Sequence, residues 1–175
     1  METKKGFSFP INNDVRSLII KESAKSLKTE GLKFSVDTLS AKLKISKKTV
    51  YKYFPTKQEL AIAVYDYFYN DVNNRISGFI SENIKDKVLF LLNIYFESSL
   101  MTHDEIFNKY ALNDAVRSYA EGNRIKVWER VCSAAGLSDE TAESARIIVD
   151  GAFKELRNNA QASEKVIGFL VDCLC

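Results

Sequence analysis

The chain has little that interrupts a helix and little that performs covalent chemistry. Two prolines and seven glycines in 175 residues leave few turn-forming positions. No strand-like alternation of apolar and polar residues persists, so an all-α fold is expected. A single histidine, His103, removes most histidine-based triads and histidine-rich metal sites. The three cysteines, Cys132, Cys173 and Cys175, are an odd set without a paired framework and read as reduced thiols. No metal and no other cofactor is expected, and without a convincing nucleophile–base pair no enzyme is expected either. No run of about 18 apolar residues is present, so no membrane partner is expected. Met1–Phe9 is basic but lacks the apolar stretch of a secretory signal, which makes cytoplasmic residence the default expectation.

What is present is unevenly distributed. Residues 1–60 hold 13 Lys/Arg against 6 Asp/Glu, a net of +7, while the remaining 115 hold 12 against 17, a net of −5. A basic first third on an acidic body confines any polyanion-binding surface to that first third.

Helical spacing runs along the whole chain and predicts about nine helices. Residues 1–12 read as an arm ahead of the first helix, which Asp14 can cap and which stops at Gly31, with Leu18, Ile19, Ala24 and Leu27 as its inward stripe. Ser35 and Ser46 cap two short helices over 36–43 and 47–53, and Phe54-Pro55 ends the second. Thr56 caps a long helix with Leu60, Val64, Phe68, Val72, Ile76 and Phe79 on one face. Residues 86–100 are apolar nearly all round and predict a central helix. Further helices are expected near 104–110, 113–135, 139–158 and 162–174. The expected division is an arm over 1–12, a three-helix domain over 13–56, and a helical body over 57–175.

The informative stretch is Leu39 to Leu60, LSAKLKISKKTVYKYFPTKQEL. Two short helices joined by a three-residue turn can place the second helix in a major groove. Leu39, Leu43, Ile45, Val50 and Phe54 form the apolar set between them, which leaves Lys47, Lys48, Thr49, Tyr51, Lys52 and Tyr53 on the second helix for a partner. Between Ser35 and Gln58 stand six lysines (42, 44, 47, 48, 52 and 57) and one acid, Asp37. Such lysines neutralise phosphates, whereas Lys48, Thr49 and Tyr51 can meet base edges or a thymine methyl. A lysine-rich solvated face on an ordinary helical hairpin would show the same charges, but not the hydroxyl caps, apolar hinge and outward tyrosines together.

These residues resemble the helix-turn-helix of the tetracycline-repressor (TetR) family of bacterial regulators. Ser46, Thr49, Tyr51, Tyr53-Phe54, Lys57 and Leu60 match that family's pattern in register, and Arg16, Ala24, Leu27 and Gly31 sit where its first helix has similar residues. The resemblance covers roughly residues 14–65. Lys44 stands where the family commonly has a turn glycine, which implies a strained or reshaped turn, and Lys48 stands where it has a small residue. Carried over by position, Ser35, Thr49, Tyr53 and Lys57 would hold phosphates of a double-stranded operator, while Lys48, Tyr51 and Lys52 would face bases.

The resemblance further implies a homodimer through the last two helices and an unidentified small-molecule effector bound by the body. Ala142, Ala145, Ile148, Val149, Ala152 and Leu156, with Val166, Ile167, Leu170, Val171 and Leu174, form two stripes suited to a seam across a two-fold axis. The expected contacts are Ala145, Val149, Ala152, Leu156, Ile167, Leu170 and Val171, although the same stripes would serve a core within one subunit. Two recognition helices about 34 Å apart are what two half-sites require. For the effector, the aromatic residues of the middle helices, Tyr95, Phe96, Phe107, Tyr110, Tyr119 and Trp128, are the candidates. Its binding is expected to shift the long helix that starts after Thr56. The alternative is an architectural or protein-interaction module that binds DNA without an effector.

Overall fold

The helix starts in a computed structural model follow the side chains that cap them. The structure describes residues 13–30, 35–109, 112–157 and 159–175. Among these, nine helices run in order: α1 (Asn13–Glu30), α2 (Val36–Leu43), α3 (Lys47–Tyr53), α4 (Lys57–Gly78), α5 (Ile84–Met101), α6 (Asp104–Lys109), α7 (Asp114–Ala135), α8 (Asp139–Leu156) and α9 (Ser163–Leu174). No strand occurs among the described residues. Ser35, Ser46 and Ser138 each accept the backbone N–H three residues on, at 3.1, 3.0 and 3.4 Å, and each shares a hydroxyl contact with the threonine there. Thr56, Asn83 and Asn113 likewise accept first-turn N–H groups of α4, α5 and α7, whereas Asp14, expected to cap the first helix, lies inside the first turn of α1. Each cap of this kind satisfies a donor that the first helical turn leaves open. The expected arm over 1–12, the stop at Gly31 and Tyr110 lie outside the described residues.

The core is continuous from α1 to α9. α5 is central, packed chiefly on α7 and also on α9, α8 and α1, while α4 lies between α1 and α7. Val88, Leu92, Ile94 and Tyr95 of α5 are fully or almost fully buried, and burial of side chains of this size contributes roughly 1.5–3 kcal/mol each. Two tyrosines tie α4 to the body by hydroxyl donation: Tyr65 to the Met101 carbonyl at 2.7 Å and Tyr69 to the Ala120 carbonyl at 3.1 Å. Burial pushes both phenols up in pKa, so they remain donors at any physiological pH. α4 is therefore anchored at two points beyond its apolar stripe.

Several expected facings differ. Leu18 is 54% exposed; Ile19 is buried as expected, Ala24 and Leu27 pack half-buried on the core, and Ile20, Ser23 and Ser26 take the rest of the inner face of α1. Ser23 can occupy that face because its hydroxyl donates to the Ile19 carbonyl at 2.7 Å, which leaves no unsatisfied polar group. Phe79, expected on the buried stripe of α4, is the residue after its last turn and stacks on Phe90 at 4.0 Å between ring centroids. Of the seam residues, Val149, Leu156, Ile167, Leu170 and Val171 lie in the subunit's own core, and Ala145 and Ala152 are half-buried. The apolar side chains that α8 and α9 turn outward are Ile147, Ile148 and Phe169, at 63%, 65% and 68% exposure.

Candidate nucleic-acid interface

The turn between α2 and α3 is built on a lysine in a glycine's conformation. Lys44 has φ 53° and ψ 38°, the left-handed region, and among the described residues no other non-glycine shares that sign of φ. Its N–H donates to Ala41 at 3.2 Å and that of Ile45 to Ser40 at 3.0 Å, the paired bonds that close a helix C-terminus. Gly136 closes α7 in the same way with φ 67°, and there the residue suits the geometry. The reshaped turn expected at Lys44 thus keeps the standard geometry and carries the strain of a side chain in it.

The hinge expected between the two helices is present. Leu39, Val50 and Phe54 are buried, and Leu43 and Ile45 pack against them half-buried. The guanidinium of Arg16 lies 5.0 Å over the Phe54 ring and braces the end of α3 against α1. On the other side, Lys42 reaches back to α1, with Nζ 3.1 Å from Ser26 Oγ and 3.7 Å from Glu22 Oε1. Lys42 therefore braces the module.

α3 turns Lys47, Lys48, Tyr51 and Lys52 to solvent, with Thr49 and Tyr53 half-buried and only Val50 buried. Tyr51 is 41% exposed, a suitable position for a ring that meets a partner. Lys57 is exposed at the first position of α4, beside the open N–H groups and positive dipole end of that helix. Ser35 is half-buried at the start of α2. The eight residues expected to contact DNA thus lie on α3 or at the starts of the two helices that flank it. Sequence reasoning missed one feature: Lys47 Nζ sits 2.5 Å from Asp37 Oδ1, so the lone acid of the stretch is held against the first lysine of α3.

The aromatic candidates of the body are brought together as packing. Tyr95 is fully buried, with its ring 5.3 Å from Trp128 and 5.8 Å from Phe153. Its hydroxyl donates to Asp150 at 2.8 Å, and burial, reinforced by Asp150 and opposed by Arg124, raises its pKa. Phe96 packs on Phe153 at 4.9 Å. Phe107 is buried beside Tyr65, under the Arg117 guanidinium. Tyr119 donates to Asp66. Around Tyr95 runs an ionic cluster that the sequence did not disclose, in which Asp150 accepts from Arg124 at 2.9 Å and from Arg146 at 3.4 Å. The i, i+4 spacing of Arg146 and Asp150 was its one legible signal.

Cavities lie elsewhere. One of about 370 Å³ opens where α1, α2, α3, α4 and α6 converge, with Leu27, Tyr51, Lys57, Leu60, Val64 and Ile106 among its walls. Another of about 390 Å³ is polar and lies beside His103, Glu121, Arg124, Asp150 and Arg157. The described aromatic candidates line neither.

Residues 19–64 match the sequence profile of the bacterial regulatory proteins of the tetR family. No curated protein matches the chain. A solved structure described as a crystal structure of the superantigen PfiT superposes on 95% of this chain and 96% of its own, with a TM-score of 0.62 and 16% identity. At that identity the likeness is one of fold.

Proposed function

We propose, from the match of residues 19–64 to the tetR-family profile, that the chain is a sequence-specific transcriptional repressor that acts as a homodimer and leaves its operator when a small-molecule effector binds. The observation that carries this reading is the outward face of α3, where Lys48, Tyr51 and Lys52 stand exposed on a helix whose inner residue, Val50, is buried. Lysines there and at Lys57 supply the salt-sensitive affinity, and Tyr51 with Lys48 and Thr49 supplies base choice. On this reading the DNA-binding part is residues 13–56, and residues 57–175 form the dimerisation part and contribute to the effector site.

A dimer is supported by Ile147, Ile148 and Phe169, three large apolar side chains exposed on the last two helices. Gly151, exposed one turn after Ile147, allows a close helix approach on the same face. Side chains of this size left in water on neighbouring helices favour association, and a two-fold axis pairs a patch with its own copy. These outward residues replace the buried ones as the seam.

The test is competition. A labelled duplex selected for binding should be retained against random duplex with roughly a thousandfold preference. Equal affinity for both would mark an architectural protein and end the reading as a regulator.

A further inference from the structure

The cavity of about 370 Å³ stands between the DNA-reading helices and the body. Its size is at the small end of ligand sites, roughly 300–1,000 Å³. Leu27, Leu60, Val64, Ile106 and Leu112 make its wall apolar, and Ser35, Tyr51 and Lys57 stand among its polar lining. The other polar groups there are already satisfied. Ser23 donates to the Ile19 carbonyl, Tyr65 donates to the Met101 carbonyl, and Asp37 is paired with Lys47. Among the described residues, no carboxylate pairs with Lys57.

We propose that this cavity is the effector site, that it takes a small amphiphilic acid with one carboxylate on an apolar body, and that the acid releases DNA by engaging Lys57 and Tyr51 directly. The inference rests on the reading of α3 and Lys57 as the DNA-contacting surface. An interior with satisfied polar atoms has no use for a polar ligand group, so the apolar body lies against the leucines and valines. The carboxylate is left at the rim, where Lys57 and the open N–H groups of the first turn of α4 favour a negative charge. Those are the groups that a DNA phosphate needs. One lysine cannot neutralise both anions, so acid and operator exclude one another, and no displacement of α4 through the body is required. The coupling is reciprocal: bound operator weakens binding of the acid by the same factor. The polar cavity beside His103 is a poorer host for such a ligand, because Arg124 and Asp150 in its wall already face one another.

The test titrates the full chain with octanoate, octanol and octylammonium by calorimetry without DNA, then repeats the duplex-binding assay with each at saturation. Octanoate is expected to bind about tenfold or more tighter than octanol, with octylammonium weakest. Lys57→Gln should reduce octanoate to the octanol level. Ala61→Trp, which fills the cavity from α4, should abolish binding of both while duplex affinity and helical circular dichroism stay as in the wild type. If that variant loses helicity, Ala61→Leu is read in its place. Saturating octanoate should weaken duplex binding by about tenfold, within the usual range of such couplings, and should not do so in the filled variant. Octanoate no tighter than octanol, undiminished binding in the filled variant, or bound octanoate that leaves duplex affinity unchanged would overturn the proposal. A chain that binds no duplex even without octanoate would instead overturn the DNA reading, with the calorimetry still reporting on the cavity.

Discussion

Lys47 on α3 and Asp37 on α2 face one another with Nζ 2.5 Å from Oδ1, so the first lysine of α3 is held by the helix before it. Both side chains are more than half exposed, where an ion pair contributes little to stability. Its consequence falls on DNA binding. A phosphate that approaches Lys47 must displace Asp37 or meet its negative charge.

Asp37→Asn is therefore expected to tighten binding to all duplexes several-fold and to steepen the salt dependence by up to about one phosphate equivalent. Fluorescence anisotropy at graded salt measures both. An unchanged slope with unchanged affinity would place Lys47 away from the backbone of the duplex.

Tyr51→Ala and Lys57→Ala should separate the two kinds of contact. The first should cost specificity, with a loss of about 1–3 kcal/mol on the selected duplex and little change on random DNA. The second should weaken both duplexes alike and lower the salt slope by about one. Neither should move the melting temperature appreciably, since both side chains are exposed. Equal thermal destabilisation in the two would mean that these side chains of α3 and α4 point inward.

Lys44→Gly should stabilise the protein. A side chain in the left-handed region costs roughly 1–2 kcal/mol, partly offset by the greater freedom of glycine in the unfolded chain. A net gain of about 0.5–1 kcal/mol corresponds to roughly 1–4 °C in a chain of this size. Thermal unfolding by circular dichroism measures it, and a lower midpoint would show that Lys44 makes a compensating contact.

The caps were legible in the sequence, because a serine or threonine ahead of an apolar-periodic run has one common structural meaning. Ser35, Ser46 and Thr56 accordingly mark the starts of α2, α3 and α4. The facings of α8 and α9 were less so. Both helices are apolar on more than one side, and period alone cannot tell Val149 and Ile167, which are buried, from Ile147 and Phe169, which are not. The junction cavity was illegible for a different reason: its walls come from five helices spread between Ser23 and Leu112, and no local spacing announces such a convergence. Aromatic residues drew attention to Tyr95 and Trp128, but large rings with satisfied polar tips are what a core holds, and that is their place here.

The outward patch on α8 and α9 makes Phe169→Glu and Ile148→Glu direct probes of the dimer. Analytical ultracentrifugation should show a wild-type dimer and a monomer in the double variant, with helicity kept because both side chains are already exposed. Specific duplex binding should fall with the dimer, since two half-sites are then no longer engaged together. A monomeric wild type would remove the seam.

His103 gives a pH test with a single reporter. Burial, and after it the charge of Arg157, holds its pKa below the ordinary 6.5, against the pull of Glu105 and Asp104. The unfolded chain thus takes up the proton first as pH falls. The stability that His103 contributes is complete above about 6.5 and declines as pH drops below it toward the folded value. An NMR titration of the one histidine should give a midpoint below 6.5, and the denaturation midpoint should fall as the pH drops below about 6.5. A midpoint at or above 6.5 would contradict the half-buried site.

The central claim is that α3 presents its lysines and Tyr51 to a duplex, and selection of bound sequences from a random duplex pool tests it most directly. The expected result is an enriched, two-fold symmetric site with half-sites about one helical turn apart, whose enrichment is lost with Tyr51→Ala. A pool that emerges unenriched from the wild-type chain at low salt would contradict it.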